Sequence, residues 1–187
     1  MKLKLFIASL ALAACSQQPG STQTESVSAQ LEAPGPESEP SRVFAPLNDA
    51  ARAATGELSV ATSLRLPDAS QSGADALEVL TLHGGNGLVV EAQVTSVVSP
   101  ATEVQGQTLR ALLDLPVEEP QVLVYRVANE TKPANGPGLC GASVTAFVVV
   151  WEPSTPGDAS YKVLGVTGAA PGAGDARACT MLEYRRG

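Results

Sequence analysis

Between Gly56 and Leu66 the side chains alternate without a break. Leu58, Val60, Thr62, Leu64 and Leu66 interleave with Glu57, Ser59, Ala61, Ser63 and Arg65. A two-residue period belongs to a strand with one face buried and one wet; a helix repeats its apolar positions every three to four residues instead. Leu88, Val90, Ala92 and Val94 alternate with Glu91, Gln93 and Thr95 in the same way. His83-Gly84-Gly85-Asn86-Gly87 separates that run from Leu82, and its Asn-Gly is expected to supply the positive φ values of a tight hairpin over 77–82 and 88–97.

Two further segments, Gln121–Ala128 and Ser143–Trp151, are apolar on both faces. Strands covered on two sides belong inside a barrel or sandwich rather than in an exposed sheet. Pro153 to Asp158 reads as a turn into a strand at Tyr161–Val166, and the glycine-rich Gly168–Gly174 loop leads to a last strand at Cys179–Arg185. Residues 108–115 fit a strand or a two-turn helix equally well. A short helix is expected over 47–54, capped by Asn48 or Asp49 and ended by Gly56. About seven or eight strands, closely spaced turns and no βαβ spacing predict a mainly β domain, either a small antiparallel β-barrel or a β-sandwich.

Ahead of this domain, residues 16–42 are rich in Ser, Gln, Glu, Pro and Gly, with Val27 and Leu31 as the large apolar residues. Such a segment cannot bury enough surface to offset its ordering entropy, so it is expected to be a disordered tether reaching roughly 30 Å. The expected organisation is therefore a leader at 1–14, a tether at 15–42 and a β-domain at 43–187.

The leader carries Lys2 and Lys4, then an apolar run from Leu5 to Leu12. About eight apolar residues fall far short of the roughly 20 that span a bilayer. The run closes with Leu12-Ala13-Ala14-Cys15, which resembles the lipobox of bacterial lipoproteins. The resemblance implies cleavage before Cys15 and a diacylglycerol thioether on that cysteine. It also implies about three acyl chains, where two already anchor stably. Ser16, in place of an aspartate, implies sorting to the outer membrane, with the domain facing the periplasm.

Loss of the leader takes the net charge from −7 to −9. An acidic chain with scattered basic residues repels phosphate backbones, which argues against nucleic-acid binding, and its lipid would be the sole membrane contact. With Cys15 committed to lipid, Cys140 and Cys179 remain as an even pair in an oxidising compartment and are expected to form a disulfide.

No complete catalytic set is present. His83-Gly84-Gly85 has the look of an esterase oxyanion loop, but there is no G-x-S-x-G and no second histidine to act as base. Glu118-Glu119, between Pro116 and Pro120, reads as a solvated acidic loop, because glycosidase carboxylates face each other across a cleft. Asn129-Glu130-Thr131 matches a glycosylation sequon by chance composition. No metal or cofactor motif appears, so neither is expected. Tyr125, Phe147, Trp151, Tyr161 and Tyr184 stand at strand positions where aromatics either fill a core or line a ligand pocket in a barrel mouth.

Tyr125-Arg126-Val127 through Glu130-Thr131, then Leu139-Cys140-Gly141 and a second cysteine near the C-terminus, resemble small uncharacterised envelope proteins of Gram-negative bacteria. The anchored, disulfide-bearing β-domain also resembles the periplasmic lysozyme-inhibitor lipoproteins, which form small barrels, although their Ser-Gly-x-x-Tyr loop has no counterpart here. The expectation is a non-catalytic outer-membrane lipoprotein that binds an envelope component or small ligand, or serves as a structural or assembly accessory. The alternative is an inhibitor of lysozyme or another hydrolase.

Overall fold

A computed structural model describes residues 41–66, 76–153 and 160–186. The leader, Cys15, the tether up to residue 40 and most of the Pro153–Asp158 turn lie outside these residues. In chain order the elements are β1 (Arg42–Pro46), α1 (Asp49–Ala54), β2 (Leu58–Arg65), β3 (Leu77–Gly84), β4 (Val89–Val98), β5 (Glu103–Val104) and β6 (Gln107–Thr108). They continue with α2 (Leu109–Leu112), β7 (Val122–Thr131), β8 (Phe147–Trp151), β9 (Tyr161–Thr167) and β10 (Arg177–Arg186). Eight of the strands close an antiparallel barrel in the order β1-β10-β9-β8-β7-β4-β3-β2; β5 and β6 form a separate ribbon. The choice between barrel and sandwich is thus settled as a barrel. Its closing strand, β1, is one the alternation did not expose, because its five residues include Arg42 and Pro46.

Inward residues build the main core. Phe44, Leu58, Val60, Leu80, Leu82, Val90, Ala92, Val148, Val163, Leu182 and Tyr184 pack together there. The outward face of β2–β4 carries Ser59, Ser63, Thr81, His83 and Glu91, which explains the clean alternation read from the sequence. β7 and β8 read as apolar on both faces for a different reason. The excursion 99–121 folds over their outer side, and Val104, Leu109, Leu113 and Leu115 form a second core with Val124, Val149, Trp151, Leu164 and Val166. At about 1.5–3 kcal/mol for each fully buried aliphatic side chain, this outer layer holds the excursion to the barrel.

Within the excursion, Gln105 and Gly106 both have positive φ (55° and 75°), the geometry of a two-residue hairpin turn. Gln105 Oε1 accepts from the Ala178 amide at 3.0 Å, which ties the ribbon to β10. Residues 108–115 resolve into the end of β6 and a single turn of helix, α2, stopped by Asp114 at φ 46°. The buried ammonium of Lys162 donates to the Asp114 carbonyl at 2.8 Å, with Glu183 Oε1 at 3.9 Å and the Trp151 ring centroid at 5.6 Å.

Two expectations are corrected in detail. In the β3–β4 hairpin only Gly87 has positive φ (93°); Asn86 does not. The Gly87 amide donates to the Gly84 carbonyl at 2.9 Å. Asn86 instead works through its side chain, accepting from the Leu88 amide at 3.0 Å and donating to the Ala54 carbonyl at 2.8 Å. The strand expected over Ser143–Trp151 begins only at Phe147. Upstream of it, Glu130 accepts from the Leu139 amide at 2.6 Å and the Thr145 hydroxyl at 3.1 Å. That carboxylate holds the β7–β8 connection in a loop, and it gives the middle residue of the sequon a structural role.

Cys140 and Cys179 are disulfide-bonded, with Cα atoms 5.4 Å apart and 39 residues of separation. The bridge crosses Gly165 of β9, where an added Cβ would stand 2.6 Å from Cys140 Sγ. A glycine is needed there for the bridge to lie against the strand. Releasing a closed loop of this length should cost about 4 kcal/mol in the chain-entropy account. Urea unfolding of the full chain with and without reductant is expected to show a loss of that order. An unchanged midpoint would mean that the bridge constrains little.

Candidate functional site

The two ends of the barrel are built differently. At one end α1 and the β3–β4 turn close the interior. Asn48 caps α1 by accepting from the Ala51 amide at 2.8 Å. Thr55, buried just after the helix, shares a 2.7 Å hydrogen bond with the Tyr184 hydroxyl, and the Gly85 amide donates to the Glu57 carbonyl at 2.8 Å. Leu139, next to the disulfide, packs into the same core. This end is solid.

At the other end β1, β3, β7 and β9 begin and β2, β4, β8 and β10 finish. Here a cavity of about 400 Å³ opens, lined by Thr62, Leu80, Leu123, Val150, Tyr125 and Tyr161 together with Arg42, Glu78, Glu119, Gln121, Val122, Trp151 and Glu152. Its polar groups are organised. The Tyr125 hydroxyl donates to Glu78 Oε1 at 2.6 Å. Arg42 Nη1 reaches both carboxylate oxygens of Glu152, a half-buried ion pair between the first strand and the end of β8. The Trp151 indole N–H donates to Glu119 Oε2 at 2.8 Å, so the acidic loop is pinned to the rim. Glu118, its neighbour, is exposed.

Tyr161 stacks on Phe44 with ring centroids 4.6 Å apart and is 2% exposed. Among the described residues, no side-chain polar atom is both fully buried and without a hydrogen-bond partner. No described group bonds the Tyr161 hydroxyl, so that hydroxyl opens onto the cavity.

The five aromatics singled out in the sequence therefore divide. Tyr125 and Tyr161 line the cavity, and Trp151 borders it while packing into the outer core. Phe147 packs on the outer core and Tyr184 lies in the inner one, so neither reaches the cavity. Glu78, Arg42, Glu152 and Thr62 were not foreseen as site residues. The available signal was the register of β3, where Glu78 shares a face with Leu80 and Leu82 and so puts a carboxylate on the inward row. His83 is exposed on the outer face, opposite Val89 on one side and Ser59 on the other. Among the described residues no three His, Cys, Asp or Glu side chains are grouped to hold a metal, and no helix is long and apolar enough to cross a membrane.

Comparison with known protein families, with curated proteins and with solved structures finds no match.

All three tyrosines of the chain are buried in the barrel. Burial raises the Tyr125 phenol far above its ordinary range, and its hydrogen bond to Glu78 raises it further. Burial likewise raises Tyr161. Tyr184 is pushed up to about 12 by burial, against a smaller lowering from Thr55. Phenols of the unfolded chain ionise near 10. Above that pH the native state binds more protons than the unfolded one, so stability present below pH 10 falls as pH rises, by about 1.4 kcal/mol per pH unit for each phenol. Alkaline titration of the full chain is expected to show phenolate absorbance appearing only together with loss of near-UV circular dichroism. A phenol ionising near pH 10 in the still-folded chain would contradict this burial.

Proposed function

We propose that the chain is a lipid-anchored protein of the bacterial outer membrane whose periplasmic barrel binds a small ligand at its open mouth without transforming it. The observation that carries the binding part is the hollow mouth. Barrels of eight strands are just wide enough either to fill with side chains or to hold one small ligand. This one is capped at one end and leaves a cavity between its strands at the other. A volume of about 400 Å³, its wall shared between Leu80, Val122, Leu123 and Val150 and a set of placed polar groups, lies in the range of small-molecule sites. The anchor rests on Leu12-Ala13-Ala14-Cys15 and its basic, apolar leader. The spacer-like composition of residues 16–42 suits a domain held clear of the lipid headgroups.

The mouth suits the chain's own reporter, since Trp151 is its single tryptophan and borders the cavity. The neutral dye N-phenyl-1-naphthylamine is expected to bind the full chain one to one, with enhanced emission and energy transfer from Trp151. Thr62→Phe, which fills the cavity from β2, should weaken that binding at least tenfold while leaving the far-UV spectrum unchanged. Dye binding that ignores Thr62→Phe, or no binding at all, would defeat the reading. For the anchor, Cys15→Ala is expected to abolish palmitate labelling and move the protein from the membrane fraction to the soluble one. Continued fractionation with the membrane would remove the lipid from the account.

A further inference from the structure

We infer that the mouth selects a small organic cation, an ammonium group carried on an apolar body. The inference rests on the mouth being a binding site and goes on to name the chemistry of its ligand. Three carboxylates line the cavity, from Glu78, Glu119 and Glu152, against one cationic side chain, Arg42. Arg42 is not free to take an anion, because its guanidinium already contacts both oxygens of Glu152. Glu119 is committed to the Trp151 indole through one oxygen. Glu78 is the carboxylate without a cationic partner among the described residues; its one described hydrogen bond comes from the Tyr125 hydroxyl, a neutral donor. The site therefore holds surplus negative charge in a partly desolvated cleft, where an opposite charge is attracted more strongly than in bulk water.

A second observation points to a ligand independently of charge. Tyr161 is 2% exposed and borders the cavity, and no described residue bonds its hydroxyl. The ring is held in place while the hydroxyl stays accessible from the cavity, so a ligand N–H or O–H placed there would find a fixed partner. Tyr125 and Tyr161 also offer aromatic surface, which favours an organic cation over a neutral molecule of the same shape.

The register extends the argument to the ligand's body. Leu64 pairs with Glu78 and Val97 pairs with Leu123, so Leu64, Val97 and Leu123 continue the inward face at the lip of the mouth. They are 41%, 51% and 36% exposed. Large apolar side chains that face inward yet stay wet give the non-polar part of such a molecule a surface to cover. A bare metal ion would leave that surface unused.

The test compares phenethylammonium with its neutral analogue phenethyl alcohol and its anionic analogue phenylacetate. Binding to the full chain is read by Trp151 emission and by displacement of N-phenyl-1-naphthylamine. The ammonium is expected to bind at least tenfold more tightly than the alcohol, and the carboxylate more weakly than both. Glu78→Gln, which preserves an acceptor for Tyr125, should erase most of the ammonium's preference over the alcohol. Added salt should weaken the ammonium and not the alcohol, a check that needs no variant. Equal affinity for ammonium and alcohol, tighter binding of the carboxylate, or dye displaced by none of the three would overturn the cation assignment and leave the cavity standing. Failure of the dye itself to bind would instead remove the reading on which the assignment rests.

Discussion

Everything in this domain depends on the pairing of Arg42–Pro46 with two strands at once. β1 sets Phe44, Ala45 and Pro46 against Arg186, Arg185 and Tyr184 of β10, and Arg42, Val43 and Phe44 against Val60, Ser59 and Leu58 of β2. Without it the sheet would have two free edges, each a row of unpaired amides and carbonyls open to association. With it the sheet has an inside. The same short strand supplies Phe44, which stacks under Tyr161, and Arg42, which pairs with Glu152. Closure and the mouth are products of one segment.

An inside of eight strands must be filled, and the filling is uneven. Large apolar residues, the α1 cap and the disulfide over Gly165 cover the interior at one end. Glu78, Tyr125, Arg42 and Glu152 satisfy one another at the other end without filling it. Removing a partner from such a network costs more than the bond itself, because the group left behind has already been taken from water. The outer layer supports this arrangement from behind. Residues 99–121 cover β8 and β9, Lys162 holds the excursion through the Asp114 carbonyl, and Trp151 joins the layer to the rim through Glu119.

Much of the barrel wall was legible from period alone. β2, β3 and β4 announced themselves because their outer faces meet water, so polarity reports orientation residue by residue. β7 and β8 were recognisable as strands, but the reason for their two apolar faces lay elsewhere in the chain, in Val104, Leu109 and Leu113. β1 was hidden because five residues carry too little pattern, and its contribution is long-range pairing that no local window contains. The disulfide followed from counting cysteines. The site was only half visible: Tyr125 and Tyr161 were among five aromatics that composition could not rank, since burial in a floor and exposure to a cavity look alike in sequence. Asn86 shows the same limit at small scale, because its side-chain bonds to Leu88 and Ala54, rather than its backbone, fix the turn.

Because inner and outer layers use neighbouring residues of the same strands, side-chain methyl groups can tell them apart. The most direct measurement is intermolecular nuclear Overhauser contacts between bound N-phenyl-1-naphthylamine and the methyl groups of the full chain. The account predicts contacts to Leu80, Leu123 and Val150, which face into the mouth, and none to Val149, Leu164 or Leu113 on the outer side. Contacts confined to the outer set would contradict it, and would place binding on the covered face of the barrel rather than within it.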